Sequence, residues 1–218
     1  PLAAVAGGGA CRKNMSGVID TFEKHKFPVL QADACALVRI PPDKRGDDAW
    51  VACKVATGPS CVVYAAGAKD DISFDVFLAK QGCEVHTFDP TLREQGIKGI
   101  ETEAQGAGVK FHAVGLGGEN VDYAPGELPY EWPGISFGMQ SNSATWTFRN
   151  LHGIMEMLGH DRVEVLKIDI EGGEWYFFEA ALRDPWTRQV LQQGRVRQIL
   201  MEVHFMPPRG GGFRARNR

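Results

Sequence analysis

The segment Val165-Leu166-Lys167-Ile168-Asp169-Ile170-Glu171-Gly172-Gly173-Glu174-Trp175 limits what this chain can fold into more than any other. Its apolar positions read as a buried strand, yet Lys167, Asp169 and Glu171 alternate with them and so share one face. A strand inside a parallel sheet is covered on both faces and is normally an almost unbroken apolar run. Burying an unpartnered carboxylate is costly, so two in succession need a special position. The carboxyl end of such a strand supplies one, because open α/β sheets bind ligands in the crevice there. Two acids running into a Gly-Gly turn ahead of a helix therefore mark the edge of an active site.

From about residue 50 onward the chain alternates strand and helix patterns, the signature of a parallel α/β sheet. Trp50 to Val55 reads as a short strand after a Pro-rich loop at 41–48. Cys61 to Ala65 is the first core strand and ends at Gly67. Asp70 or Asp71 is placed to cap a helix that carries Phe74, Phe77 and Leu78 and stops at Gly82. Cys83 to Phe88 is the second strand, closed by Asp89-Pro90, and Val109 to Val114 the third. Phe148, Leu151, Ile154, Met155 and Leu158 make a helical stripe ended by Gly159. Val163 to Ile170 is the fourth strand, Glu174 to Leu182 a helix, and Gln198 to Phe205 the fifth strand. Residues 118–145 lack periodicity and carry Tyr123, Tyr130, Trp132 and Phe137, which reads as a lid. The expected organisation is a flexible lead over 1–17, one domain over 18–206 with its core at about 50–205, and a disordered Gly/Arg-rich tail over 207–218.

A net charge of −3 over 218 residues points away from nucleic acid and from membrane surfaces as partners. No apolar run reaches the ~20 residues of a membrane span. Pro1 to Ala10 lack the basic and apolar regions of a signal peptide. The chain starts at Pro1, however, so localisation stays open, the secretory pathway included. None of the five cysteines forms a C-x-x-C pair, which argues against a zinc ribbon or a thioredoxin-like site. Cys53 and Cys61 flank the turn Thr57-Gly58-Pro59-Ser60, and two readings stand for them: a disulfide in an oxidising compartment, or buried thiols. The sequence fixes no oligomeric state.

The site chemistry follows from three places. Gly67 ends the first strand and Asp89 ends the second, the spacing by which a tight turn approaches a nucleotide and an acid accepts from ribose hydroxyls. Ala65-Ala66-Gly67-Ala68-Lys69 has one glycine and no G-x-G-x-x-G, which disfavours a dinucleotide and its pyrophosphate. S-adenosylmethionine, with ribose and adenine but no phosphates, fits better. Glu202 and His204 share a face of the fifth strand and converge on Asp169 and Glu171 if the fourth and fifth strands are neighbours. His204 is then a general-base candidate or, alternatively, a core histidine bonded to Glu202. The oxygen ligands of this cluster would also suit Mg²⁺ or Mn²⁺, though no metal is expected. His25, His86, His112, His152 and His160 show no partner pattern and are expected to be structural or exposed.

The motifs Val63-Tyr64-Ala65-Ala66-Gly67, Gly82-Cys83-Glu84-Val85-His86-Thr87-Phe88-Asp89-Pro90 and Leu166-Lys167-Ile168-Asp169-Ile170-Glu171-Gly172 resemble the FkbM-type methyltransferases, closest to their eukaryotic methyltransferase-like branch. The resemblance covers roughly residues 50–205. It implies a Rossmann-like class I sheet with helices on both faces, and S-adenosylmethionine as cofactor. It places Gly67, with Ala66 beside it, under the methionine part, Asp89 on the ribose, Val114 along the adenine, and Asp169 and Glu171 beside the transferred methyl. The sequence departs from that pattern twice: Ala65 stands where an acid is usual, and the chain stops too soon after the fifth strand for the usual closing hairpin. The expected activity is O-methylation of a small molecule or a glycan. The alternatives are a catalytically inactive binding module of the same fold and, further off, an NAD-dependent oxidoreductase.

Overall fold

The computed structural model describes residues 4–5, 35–45, 49–68, 71–90, 94–124 and 145–204. The described strands are β1 (Ala4–Val5), β2 (Leu37–Ile40), β3 (Trp50–Cys53), β4 (Val62–Ala66), β5 (Glu84–Phe88), β6 (Lys110–His112), β7 (Val114–Leu116), β8 (Val121–Tyr123), β9 (Trp146–Arg149), β10 (Val163–Ile168) and β11 (Val196–Met201). The helices are α1 (Ser73–Lys80), α2 (Glu94–Ala107), α3 (Leu151–Leu158), α4 (Glu174–Arg183) and α5 (Pro185–Gln192). Six strands form one sheet in the order β1-β11-β10-β4-β5-β6, and every pairing in it is parallel. Parallel neighbours require crossovers, and the helices supply them.

Alternation along the strands splits the core into two layers. Tyr64, Phe88, Leu166 and Ile168 face α3, α4 and α5 through Leu151, Ile154, Phe177 and Leu191. Val63, Ala65, Val85 and Val165 face α1 and α2 through Phe74, Leu78, Ile100 and Ala104. The expected α/β architecture with helices on both faces is present. Ala65, where an acid was looked for, is fully buried against the α1 side. On that same face the hairpin β2–β3 covers the sheet, and Gln198 Nε2 of β11 donates to Cys53 O at 3.2 Å to dock it.

Some boundaries differ from the sequence reading, each for a local reason. Phe148 belongs to β9 and not to the helical stripe: Asn150 interrupts, its side chain accepting from Gly153 N at 2.8 Å to cap α3. The third strand ends at His112, and Val114 to Leu116 crosses into a separate sheet, β7-β9-β8. Helix α2 lacked a clear signal because Gly96, Gly99 and Gly106 lie within it. Strand β1 lies within the stretch expected as a flexible lead and pairs with Ile199 and Leu200. Of the 118–145 segment expected as a lid, Val121–Tyr123 forms β8 and residues 125–144 lie outside the described residues, as do the closing hairpin and the tail over 207–218. No helix among the described residues is long and apolar enough to cross a membrane.

Neither reading of Cys53 and Cys61 holds: both are bridged, but to other partners, as Cys35–Cys53 and Cys61–Cys83, with Cα–Cα distances of 5.6 and 4.7 Å. Strand adjacency decides the pairing. Val62 and Glu84 are register partners, so the residues before them, Cys61 and Cys83, enter the sheet side by side. Cys53 instead lies in the separate hairpin, where Leu37 is its register partner and Cys35 is two residues away. Closing loops with sequence separations of 18 and 22 restricts the unfolded chain by about 3 kcal/mol each on the chain-entropy model. Peptide mapping under non-reducing conditions is expected to recover these two pairs, and Cys61→Ala with Cys83→Ala is expected to cost about 3 kcal/mol in urea denaturation.

Candidate active site

Strand order reverses between β4 and β10, and the carboxyl tips of these two neighbours form the switch point at which such sheets bind ligands. The tips are in closer contact than any side chain would permit. Gly67 has φ +87°, and a Cβ built there would lie 1.6 Å from Asp169 O. Asp169 N donates to Ala66 O at 3.0 Å and Gly67 N to Phe88 O at 2.9 Å, so the turn is fixed to both flanking strands. Glycine at 67 is therefore required by the β10 backbone. The buried Lys167 adds a third tie, its Nζ donating to Gly67 O at 2.9 Å while lying 5.0 Å from the Trp50 ring centroid.

Asp89, at the tip of β5, is 5% exposed and accepts from Ala68 N at 3.0 Å. Its carboxylate thus stands beside the residue that follows Gly67. Val114 begins β7, half-buried, two residues past β6. Gly115 is pressed on by the Phe148 ring and by Pro90, so the 113–116 backbone also borders this edge. Gly67, Asp89 and the neighbourhood of Val114 are consecutive tips of β4, β5 and β6.

On the other side of the switch point, β10 stops at Ile168 and the chain turns through Glu171, which adopts φ 53°, and Gly172, φ 98°. A left-handed conformation is unfavourable for glutamate and is held by its surroundings. What holds it is Glu174, which the sequence reading treated only as the start of a helix. Its carboxylate is fully buried and accepts from Ile170 N at 2.8 Å and Gly172 N at 3.0 Å, so the turn is wrapped around it. The Asp-Ile-Glu-Gly-Gly-Glu spacing held the signal: an acid in the first turn of a helix accepts from free N–H groups.

Because β10 and β11 are neighbours, His204 reaches this turn. Its Nδ1 lies 3.2 Å from Glu174 Oε1, and its Nε2 lies 3.6, 3.7 and 3.9 Å from Glu171, Glu202 and Asp169 respectively. Trp175 Nε1 donates to His204 O at 3.0 Å and fixes the backbone. The four expected residues do converge. The hydrogen bond to Glu174, helped by the surrounding acids, pushes the His204 imidazole up to about 9. That direction favours the doubly protonated ring at neutral pH, which weighs against the general-base role expected of His204. Its principal partner is Glu174 and not Glu202. Burial raises Asp169 above the ordinary carboxylate range, against the opposing charges of Lys167 and His204. Asp75, buried on α1 and bonded to Thr87 Oγ1, is raised to about 6 by the same cause, again opposed by Lys167.

Asp169, Glu174 and His204 present ligand atoms close enough together to surround a cation. Both Glu174 oxygens already accept from backbone N–H groups and one of them also meets His204 Nδ1, so a metal would have to displace an established set of bonds. A hollow of about 510 Å³ opens between β8, β9 and α4, lined by Glu119, Tyr123, Phe148, Tyr176, Glu179 and Arg183 among others.

Gly67→Ala is expected to destabilise the fold by about 3 kcal/mol or more in urea denaturation, since neither φ nor the β10 backbone admits a Cβ. The His204 pair has a pH signature. Its folded pKa lies above the ~6.5 of an unfolded histidine, so its stabilisation is complete below ~6.5 and is lost as pH rises through about 9. Thermal unfolding of the parent protein is expected to fall between pH 6.5 and 9.5 more steeply than that of His204→Gln. Asp75 titrates below this window.

A methyltransferase-domain family model matches residues 34–215 of the chain. The human probable methyltransferase-like protein 24 is 26% identical over 163 residues, which is 74% of this chain and 37% of that protein. Its rat counterpart is 29% identical over 150 residues, 68% of this chain and 34% of that protein. The chain thus spans just over a third of the length of these curated relatives. No solved structure matches it significantly. With a parallel sheet whose glycine turn and acids meet at the switch point, and a match over most of its length, the chain belongs to the methyltransferase-domain family.

Proposed function

We propose that this protein is an S-adenosylmethionine-dependent methyltransferase that acts on an oxygen of a small molecule or a glycan, with kinship to the FkbM-type branch. The observation that carries the reading is the contact of Gly67 with Asp169 at the switch point, with Asp89 bonded to the adjacent Ala68. The donor set suits this cofactor: an anchored acid at one strand tip for ribose hydroxyls, and a group of carboxylates at the next tips for a cationic ligand. When bound, S-adenosylmethionine supplies a methyl group on a positively charged sulfur. Ala66, Gly67, Asp89 and Val114 would hold it, and Asp169 and Glu171 would face its reactive end.

The chain's own part is then electrostatic and positional. Glu174 fixes the 169–173 turn, and protonated His204 keeps the acids at 169, 171 and 202 gathered in spite of their mutual repulsion. Asp169, with its pKa raised by burial, is a stronger base than an ordinary carboxylate and is the group that takes the acceptor hydroxyl proton. The hollow beside α4 offers Tyr123, Phe148 and Tyr176 as apolar faces and Glu119, Glu179 and Arg183 as polar partners, a lining suited to a sugar or a planar ring with hydroxyls.

Isothermal titration with S-adenosylmethionine and with its demethylated product is expected to show binding. Asp89→Ala should weaken it about 10- to 100-fold, the loss of one charge-assisted hydrogen bond. Asp169→Asn, which removes one of the carboxylates facing the cationic end, should weaken cofactor binding far less than it lowers methyl transfer to a responsive glycan or hydroxylated acceptor, a loss of about 100-fold or more. No heat with either ligand would overturn the reading. Binding without turnover across the acceptors would favour the inactive binding module instead.

A further inference from the structure

The amino-terminal edge of the sheet, opposite the crevice, carries a second constellation. Glu84 and His86 lie two apart on β5 and share a face, and His160, just after α3, closes over them. His86 Nε2 lies 3.1 Å and His160 Nε2 3.7 Å from the same atom, Glu84 Oε1. The three groups present ligand atoms within 4.8 Å of one another. Bonds of ~2.0–2.1 Å in a tetrahedral zinc site put neighbouring ligand atoms about 3.3 Å apart, so little movement is needed to close around an ion.

We propose that Glu84, His86 and His160 form a binding site for a zinc-class divalent cation, with an open fourth position. The outer nitrogens supply the second observation. His160 Nδ1 lies 2.8 Å from the buried Tyr64 hydroxyl, and His86 Nδ1 lies 2.9 Å from His112 Nε2. Each imidazole is thus held from behind while its other nitrogen points at Glu84, as in metal sites where a hydrogen bond to the far nitrogen fixes the ring and its tautomer. Two imidazoles and one carboxylate suit zinc, cobalt or nickel better than magnesium or calcium.

One group opposes the ion. The Lys110 ammonium is paired with Glu84 Oε1 and is more than half exposed, so it can withdraw to solvent when a cation takes its place. This gives the proposal a signature that a purely structural histidine cluster lacks: Lys110→Met should bind metal more tightly, while weakening only a surface ion pair.

The test is a Co²⁺ titration of the full chain followed by the visible bands of four-coordinate cobalt, with back-displacement by Zn²⁺. The expected result is about one equivalent bound, at least about tenfold weaker binding in Glu84→Gln and His160→Gln, tighter binding in Lys110→Met, and no change in His204→Gln. Circular dichroism checks that each variant is folded, and Lys110→Met decides the matter if His160→Gln is not. The proposal is overturned if no band forms, if the band survives both ligand substitutions, if Lys110→Met does not tighten binding, or if His204→Gln abolishes the band and so assigns the metal to the crevice.

Discussion

The arrangement at the carboxyl edge depends on the approach of two backbones, Gly67 on β4 and Asp169 on β10. A contact that excludes any Cβ fixes the glycine, its left-handed turn and the distance between the strand tips together. Lys167 secures the contact from below by donating to the Gly67 carbonyl. Its burial is tolerable because an aromatic face, a backbone oxygen and the nearby Asp75 offset the loss of water. The alternating Lys-Ile-Asp-Ile-Glu pattern, anomalous for a core strand, is thereby accounted for residue by residue. Lys167 reaches forward to clamp the Gly67 carbonyl, Asp169 sits at the rim, and Glu171 is carried out by the turn.

A single buried carboxylate organises the acidic side of the crevice. Glu174 has no access to water, so its charge is compensated by the amides of Ile170 and Gly172 and by His204. This is the costly kind of interaction that stabilises only when complete. Its completeness determines the turn: removing either partner would leave a buried charge exposed to the others. The same pairing protonates His204, and the imidazolium in turn lets Asp169, Glu171 and Glu202 approach one another. The group that gathers the acids is thus a cation made by the acid behind it, and proton acceptance falls to the rim carboxylate.

Much of this was legible in the sequence, and what was not has physical reasons. Strand β10 and its acids stood out because charge interrupts an apolar run, and the Gly67 and Asp89 positions because spacing along a βαβ unit is short-range information. The convergence of Asp169, Glu171, Glu202 and His204 required only that β10 and β11 be neighbours. Glu174 was missed because one acid at a helix start reads as an ordinary dipole effect, and only burial shows otherwise. The protonation of His204 was missed with it. The disulfides could not be read from the sequence, because pairing follows which strands lie side by side, a tertiary fact, and not which cysteines flank a turn. Helix α2 and the sheet β7-β9-β8 were hidden by glycines and by strands of three or four residues.

The parallel sheet separates chemistry by polarity. All its strands point the same way, so every carboxyl tip contributes to one edge and every amino tip to the other. At the first edge the tips bring together carboxylates, which suits a cationic ligand. At the second, Glu84, His86, His112 and His160 gather with Tyr64 around β5. This cluster was hidden in the sequence because, apart from the Glu84–His86 pair, its members are about 20 or more residues apart, and because an isolated histidine on a strand has no pattern. Register assembles it: His86 pairs with Tyr64 on one side and with Lys110 on the other. Imidazoles packed together with occupied outer nitrogens are an expensive way to fill space that leucine would fill more cheaply. That cost is explained if the inward nitrogens have a ligand.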